Sequence, residues 1–164
     1  MTGVAAVVSD GKLMVRVLNS FTGPGLTAAL FTAGTDITCD LLGDGLSRDT
    51  NENAVTIDRL CSKQVGESPG STIESVELTY AWNPQDANTA TAYGTLTPGS
   101  VKWLAIRYGL DHATAGASGQ KIDIIKVVCG EQRRVPVARN EELRVVQKMF
   151  VAPGGTIRDL ALTT

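Results

Sequence analysis

The sequence is short of the side chains that most enzymes use for chemistry. It has a single histidine, His112, in a loop of small residues, and its three cysteines form no C-x-x-C pair. No P-loop is present, and GDGLS at 43–47 departs from the G-x-S-x-G order of a nucleophile elbow. These shortages argue against a nucleophile-and-base enzyme and against a zinc site. We therefore expect no catalytic residue, no metal and no cofactor.

Excess charge and long apolar runs are also missing. The formal net charge is −2 in 164 residues, whereas proteins that wrap nucleic acid use a basic surface to displace counterions. No apolar run approaches the 18 residues of a membrane helix, and the N-terminus does not resemble a secretory signal. We expect a protein that is made in the cytoplasm, with Cys39, Cys61 and Cys129 as reduced, buried thiols.

What the sequence does have is repeated alternation of apolar and polar residues, which is typical of half-buried strands. The clearest case is VELTYAW at 76–82, where Val76, Leu78 and Tyr80 share one face. Shorter alternating segments at 12–18, 35–41 and 53–58 predict further strands.

Three more segments complete the predicted strands. VKWLAIRY at 101–108 is apolar on both sides, as in a central strand. The segment at 119–129 is similarly β-rich, and 140–151 reads either as a helix or as a strand. The β-branched pair Val145 and Val146 favours the strand.

Between the strands, the sequence predicts one short helix and several long loops. Asn83 suits a helix cap, Pro84 the first helical position and Gly94 the end of the helix. Segments rich in Gly, Asp, Asn and Ser at 43–53, 62–72 and 110–120 predict loops, and long loops in a compact domain are usually functional or disordered. With no repeat or composition shift, we expect one domain over residues 1–164.

Three segments of the second half resemble the tail tube proteins of long-tailed phages of actinobacteria. They are VELTYAWNPQ at 76–85, KWLAIRYGLD at 102–111 and VVCGEQRRVPVARNEELRVVQKMFV at 127–151. The resemblance implies a mostly β fold, a two-sheet β-sandwich or barrel with one short flanking α-helix and long loops. It also implies a structural virion protein whose subunits form rings, expected to be hexameric, that stack into a hollow tail tube.

The resemblance also implies the partners. These are copies of the chain itself, other tail proteins (tape measure, terminator and distal tail protein) and genomic DNA that passes through the lumen without specific binding. Unpaired edge strands favour pairing between neighbouring subunits, and head-to-tail contacts close a ring. We expect the loop at 43–53 and the C-terminal segment at 152–164 to reach from one ring to the next.

Charged and polar residues supply the candidate contacts. The inter-ring candidates are Asp44, Arg48, Asp49, Asn51, Glu52, Arg158 and Asp159, and those for polar contacts between subunits are Arg133, Arg134 and Arg144. A DNA conduit must not hold its cargo, and acidic side chains repel phosphate. The candidates for the lumen are Asp36, Asp40, Asp58, Glu77 and Asp123. Alternation alone cannot tell a lumen from an outer face, so a plain solvated face explains these residues equally well.

Two other classes of protein fit the same sequence. One is another virion component, such as a tail terminator, a head-to-tail adaptor or a capsid decoration protein, which differs from a tube protein in copy number. The other is a monomeric β-sandwich that binds carbohydrate or peptide. A binding module favours exposed aromatics in loops, whereas Tyr80, Trp82, Trp103 and Tyr108 lie within strand patterns that predict core packing.

Overall fold

The chain folds into long strands joined by short helices and turns. The computed structural model describes residues 4–89 and 91–164. Within these ranges no helix is long and apolar enough to cross a membrane. In chain order, the elements found there are β1 (Leu13–Leu18), β2 (Leu26–Thr27), α1 (Ala28–Ala33), β3 (Thr35–Asp36), β4 (Leu41–Ile57), β5 (Gly66–Ala81), α2 (Ala92–Thr95), β6 (Val101–Tyr108), β7 (Lys121–Arg134) and β8 (Arg144–Thr163).

The strands form one sheet in the order β3-β1-β6-β7-β8-β5-β4, and β2 pairs with β8. All neighbours are antiparallel except β2 and β8, which run parallel. The sheet does not close, so β4 and β3 end the strand order. The mostly-β prediction is confirmed, and the architecture fits a β-sandwich-like fold.

The main core lies on one face of this sheet, which we call the inner face. Alternate residues of β1, β5, β6, β7 and β8 meet there, including Val15, Leu78 and Leu104, all fully buried. Ile37 and Leu96 from the connecting segments join the same cluster. The predicted buried faces of 12–18 and 76–82 are therefore confirmed.

A second, smaller cluster covers part of the opposite, outer face. Ala105 and Ile124 of the central strands pack there with Phe31 of α1 and Leu162 of β8. Strands β6 and β7 are thus buried on both faces along part of their length, as the apolar segment 101–108 predicts. The strand predictions for 119–129 and 140–151 are also confirmed.

Two predicted loops are strands. Residues 43–53 belong to β4, and most of 62–72 belongs to β5, because the residues from 46 to 57 pair in register with those from 66 to 78, apart from one bulge. The prediction of long loops here was wrong. Main-chain pairing does not require apolar side chains, so a hairpin whose two faces both meet solvent has the composition of a loop.

The predicted helix at 83–94 was also wrong. The Asn83 side chain accepts a hydrogen bond from the Gln85 N–H at 3.0 Å, which makes a turn rather than a helix start. The helix α2 begins only at Ala92, with Thr91 as its cap. Helix α1, at 28–33, was missed by the sequence analysis.

The segment 35–41 is a strand only in part. After β3, the Asp36 carboxylate accepts hydrogen bonds from the N–H and the hydroxyl of Thr38, which turns the main chain out of the sheet before β4 begins. Cys39 in this turn is exposed, and so is Cys61 near the end of the β4–β5 hairpin. The prediction of buried thiols holds for Cys129 but was wrong for these two.

Candidate assembly surfaces

The outer part of the β4–β5 hairpin is the most exposed regular structure of the subunit. We call residues 49–75 the arm and the turn at 58–65 its tip. Every residue from 49 to 65 is exposed. Apolar side chains lie along the arm with large exposed fractions, namely Val55, Ile57, Leu60, Val65 and Ile73.

Local contacts within the arm keep its two strands paired. The Asn53 amide donates a hydrogen bond to the Ser71 hydroxyl across the strands at 3.0 Å. A bulge lies beside this pair, between the Glu52 and Ala54 positions. Gly70 passes so close to the opposite strand that a Cβ atom there would lie 2.6 Å from the Asn53 carbonyl oxygen. Only glycine fits this close approach.

A group of charged side chains fixes the root of the arm to the sheet. The Arg48 guanidinium pairs with the carboxylates of Glu74, at 2.8 Å, and Asp123. The Thr156 hydroxyl donates to Glu74, and Arg158 lies 3.9 Å from the same carboxylate. The side chains of Arg48, Glu74 and Asp123 are at most 15% exposed. The group therefore joins β4 and β5 to β7 and β8 in partly dry surroundings, where ion pairs are weakly screened.

This charged group shifts the protonation equilibria of its members. Burial raises the pKa of Glu74, but hydrogen bonds from Thr156 and Arg48 outweigh burial and leave the pKa below its usual value. Burial lowers the pKa of Arg48, but its bonds to Asp123 and Glu74 outweigh that effect and raise it. The fold thus stabilises the ionised forms of both side chains.

The candidate residues from two separate predictions meet in this group. Arg48 and Arg158, predicted for inter-ring contacts, lie beside Asp123, predicted for the lumen. The main-chain N–H of Asp159 donates to Asp123 at 2.9 Å. Arg48 and Asp123 are engaged within the subunit, whereas Arg158 and Asp159 remain exposed.

Asp36 has a different set of partners at the other end of the sheet. Its carboxylate lies 3.5 Å from Arg16 and 3.1 Å from the His112 ring. Burial raises the pKa of Asp36, but hydrogen bonds from Thr38 and the charge of Arg16 outweigh burial and lower it. His112 thus takes part in a structural contact in a loop.

Asp40 lies at the start of α2. Its carboxylate accepts a hydrogen bond from the Ala92 N–H at 2.6 Å, which satisfies one of the free donors of this short helix. The remaining acidic candidates for the lumen lie elsewhere: Asp58 is exposed in the arm tip, and Glu77 is exposed on the outer face of β5.

A cleft of about 780 Å³ opens beside Asp40, at the base of the β4–β5 hairpin, where Leu41 pairs with Tyr80. It is lined by the rings of Trp82 and Tyr93, whose centres are 5.8 Å apart, and by two further carboxylates, Asp86 and Glu142. The Trp82 Nε1 is buried and has no hydrogen-bond partner within the described ranges. The cleft therefore combines aromatic surface with negative charge.

The three arginines that were predicted to contact neighbouring subunits all have partners within the chain. Arg133 lies 3.3 Å from Glu77, and Arg144 lies 2.6 Å from Glu141. The Arg134 guanidinium stacks over the Trp82 ring at 4.3 Å from its centre. Arg133 and Arg134 stay exposed, so both can still contact another surface.

The other inter-ring candidates lie along β4. Asp44, Asp49, Asn51 and Glu52 are exposed on this strand, which ends the strand order of the sheet. Asp49 also accepts a hydrogen bond from the Thr50 N–H. An edge strand of this length carries free main-chain donors and acceptors that can pair with a further strand.

The outer face also carries a row of exposed apolar side chains. Val101, Val128 and Phe150 lie opposite one another on β6, β7 and β8, and each is more than a third exposed. Next to this row, Glu77 lies opposite Lys148. A contiguous apolar patch on an otherwise polar face is typical of an interaction surface.

Sequence reasoning missed two groups of residues. One is the set of apolar side chains of the arm, whose signal is Leu60 and Val65 within an otherwise polar stretch. The other is a buried network in which the Gln147 side chain accepts from the Tyr80 hydroxyl at 2.9 Å and donates to the Leu96 and Gly130 carbonyls. Glutamine in an alternating strand pattern gives no sign that it is buried.

Within residues 4–89 and 91–164, no three metal-ligating side chains come together in a way that could hold an ion.

Comparison with known proteins identifies the family of the chain. No curated protein matches the sequence. A family model described as "Phage tail tube protein" matches residues 1–159, nearly the whole chain. The chain therefore belongs to the phage tail tube protein family and is a structural protein of the virion tail.

Proposed function

We propose that the subunits assemble into rings, expected to be hexameric, which stack into a hollow tube that conducts DNA during ejection. The role is structural and requires neither a cofactor nor substrate turnover. Family membership supports a tail protein that assembles with itself and with other tail components. The ring, the stack and the conduit are our proposal.

The observation that carries this proposal is the arm. Its strands are paired along their length, yet its apolar side chains lie exposed, with Leu60 fully so. An isolated two-stranded hairpin is marginally stable in water unless it packs against something else. We infer that the arm packs against a neighbouring subunit and connects successive rings, with Asn51 and Glu52 on its exposed surface.

Contacts within a ring would use other surfaces. The free edge of β4 can pair with a strand of the next subunit, and a head-to-tail contact of this kind closes a ring. Arg133 and Arg134 are exposed on β7 and can form ion pairs across such an interface. Arg158 and Asp159, in the C-terminal segment, are our second candidates for contacts between rings.

For the lumen we propose Glu77, which is exposed. Asp36, Asp40 and Asp123 are partly buried and engaged within the subunit, and Asp58 lies in the arm tip, which we assign to contacts between rings. Glu77 is accompanied by Arg133 and Lys148, so this surface carries mixed charge. A wall without a continuous basic stripe does not hold phosphate groups, which lets DNA pass. The tape measure, terminator and distal tail proteins are the proposed partners, and the host cytoplasm is the proposed site of synthesis.

Negative-stain microscopy of the purified protein tests the proposal, together with a variant without the arm. In this variant Asn-Gly replaces residues 52–72, which joins the paired residues Asn51 and Ile73 by a two-residue hairpin turn and keeps the Arg48–Glu74 pair. We expect tubes from the natural protein. The variant should give folded subunits or single rings without tubes.

Circular dichroism of the variant is the control, since its sheet must remain folded. A natural protein that stays monomeric at high concentration would contradict the assembly proposal. Single rings that never stack would indicate a terminator. Normal tubes from the variant would contradict the role of the arm alone. A cryo-EM map of natural tubes would show whether Glu77 lines the lumen.

A further inference from the structure

The two ends of the β4–β5 hairpin carry opposite charge. The tip contains two basic residues, Arg59 and Lys63, and one acidic residue, Asp58, all exposed, so it carries a net positive charge. The cleft at the base of the hairpin is lined by Asp40, Asp86 and Glu142, and none of its lining residues is basic. Such complementarity between two surfaces of one chain favours contact between copies.

The tip cannot reach the cleft of its own subunit. β4 and β5 have 17 and 16 residues, and at about 3.3 Å per residue the hairpin spans roughly 50 Å from root to tip. A contact between the tip of one copy and the cleft of another therefore joins two different surfaces of the chain. Contacts of this head-to-tail type repeat along an assembly without limit unless a ring closes.

The apolar surfaces of the two ends also match. Leu60 projects fully from the tip, while Trp82, Tyr93 and Leu143 supply apolar surface in the cleft. Contact between these side chains removes apolar surface of both copies from water.

We propose that the cleft at the base of the β4–β5 hairpin receives the arm tip of a second copy of this chain. Leu60 covers the Trp82 ring, and Arg59 and Lys63 face Asp86 and Glu142. The contact rests on the proposed function, because it supplies the link between successive rings. Arg134 lies against one face of the Trp82 ring, so one positive charge borders the cleft and the three carboxylates of the lining outweigh it.

Charge reversal with rescue tests this contact. Arg59→Glu with Lys63→Glu should raise the protein concentration needed for tube growth by about tenfold, because attraction becomes repulsion at every link. Asp86→Lys with Glu142→Lys should do the same, and combining all four changes should restore growth. Lys121→Glu with Arg139→Glu is the matched control, since both residues are exposed at other sites. Reversal without effect, or failure of the combined variant to recover, would overturn the docking.

The natural cysteines provide a second, independent test. Cys61 lies in the tip and Cys39 lines the cleft, so docking brings the two thiols of different copies close together. A short bis-maleimide added to tubes should give a ladder of linked subunits. The ladder should disappear in Cys39→Ser and in Cys61→Ser, and should persist in Cys129→Ala. Tubes without this link would overturn the docking and leave the proposed function standing, whereas absence of any tube would count against the proposed function itself.

Discussion

The β6–β7 pair and the arm are both antiparallel and both regular, but they are stabilised in different ways. In β6, Leu104 and Ile106 are fully buried on the inner face and Ala105 on the outer face. In the arm, every β4 residue from 49 to 57 is exposed. Backbone pairing is similar in the two regions, so the difference lies in what covers the side chains.

This contrast separates what the subunit needs to fold from what it needs to assemble. The central strands obtain their cover from the same chain, through the inner core and through Phe31 and Leu162 on the outer face. Among the described residues, side chains tie the arm to the sheet near its root, where Arg48 pairs with Glu74 and Asp123 and where Thr156 and Arg158 contact Glu74 and Thr50. Stability of the subunit should therefore depend strongly on the centre of the sheet and weakly on the arm, while tube growth should depend on the arm.

The largest expected effect is a matched pair of isoleucine truncations. Ile106→Ala removes fully buried side-chain atoms from the inner core and should lower the free energy of unfolding by about 3–4 kcal/mol. Ile73→Ala in the arm, where the side chain is 59% exposed, should change it by about 0.5 kcal/mol or less. Urea denaturation of unassembled subunits measures both. Equal losses would mean that the arm has a core of its own, which would contradict the proposed difference in stability between the arm and the centre of the sheet.

An intermediate effect is expected where the arm meets the sheet. Glu74→Gln leaves Arg48 with Asp123 as its remaining carboxylate and should cost about 2 kcal/mol at neutral pH. The pKa of Glu74 is lower in the folded state than its ordinary value of 4.5. The ionised side chain therefore contributes stability that is complete above about pH 4.5 and is lost as the pH falls through the lower, folded pKa.

Denaturation at several pH values tests this linkage. Between neutral pH and pH 3 the natural protein should lose more stability than Glu74→Gln, because the variant has no proton to take up at this position. Other carboxylates, such as Asp36, titrate equally in both proteins and cancel in the comparison. Parallel curves of unfolding free energy against pH would show that protonation of Glu74 does not change the stability of the fold.

Alternation in the sequence predicted the central sheet because burial of one face forces a period of two. VELTYAW and VKWLAIRY both carry this pattern or its two-sided form, and both are strands. The arm escaped prediction because strands with solvent on both faces are under no such constraint, and their polar residues match those of loops. The turn at Asn83 was taken for a helix cap because Asn accepts main-chain hydrogen bonds in either setting.

The assembly residues were only partly predictable. Sequence placed Asp49, Asn51 and Glu52 on an exposed segment, which is where they lie. It could not show that Arg48 faces inward, because its partners Glu74 and Asp123 are 26 and 75 residues away along the chain. Long-range ion pairs depend on strand order and register, which one sequence does not reveal.

The smallest expected effect lies within the arm itself. Asn53→Ala removes the hydrogen bond to the Ser71 hydroxyl, but both partners are exposed and water replaces the lost contact, so we expect a loss of about 0.5 kcal/mol or less. A double-mutant cycle with Ser71→Ala isolates the pair, with a coupling free energy of about 0.3 kcal/mol in unassembled subunits. A coupling above about 1 kcal/mol would mean that the arm is rigid before assembly. A rigid arm loses less entropy on docking, so less of the favourable free energy of burying its tip would be offset by the cost of ordering the arm.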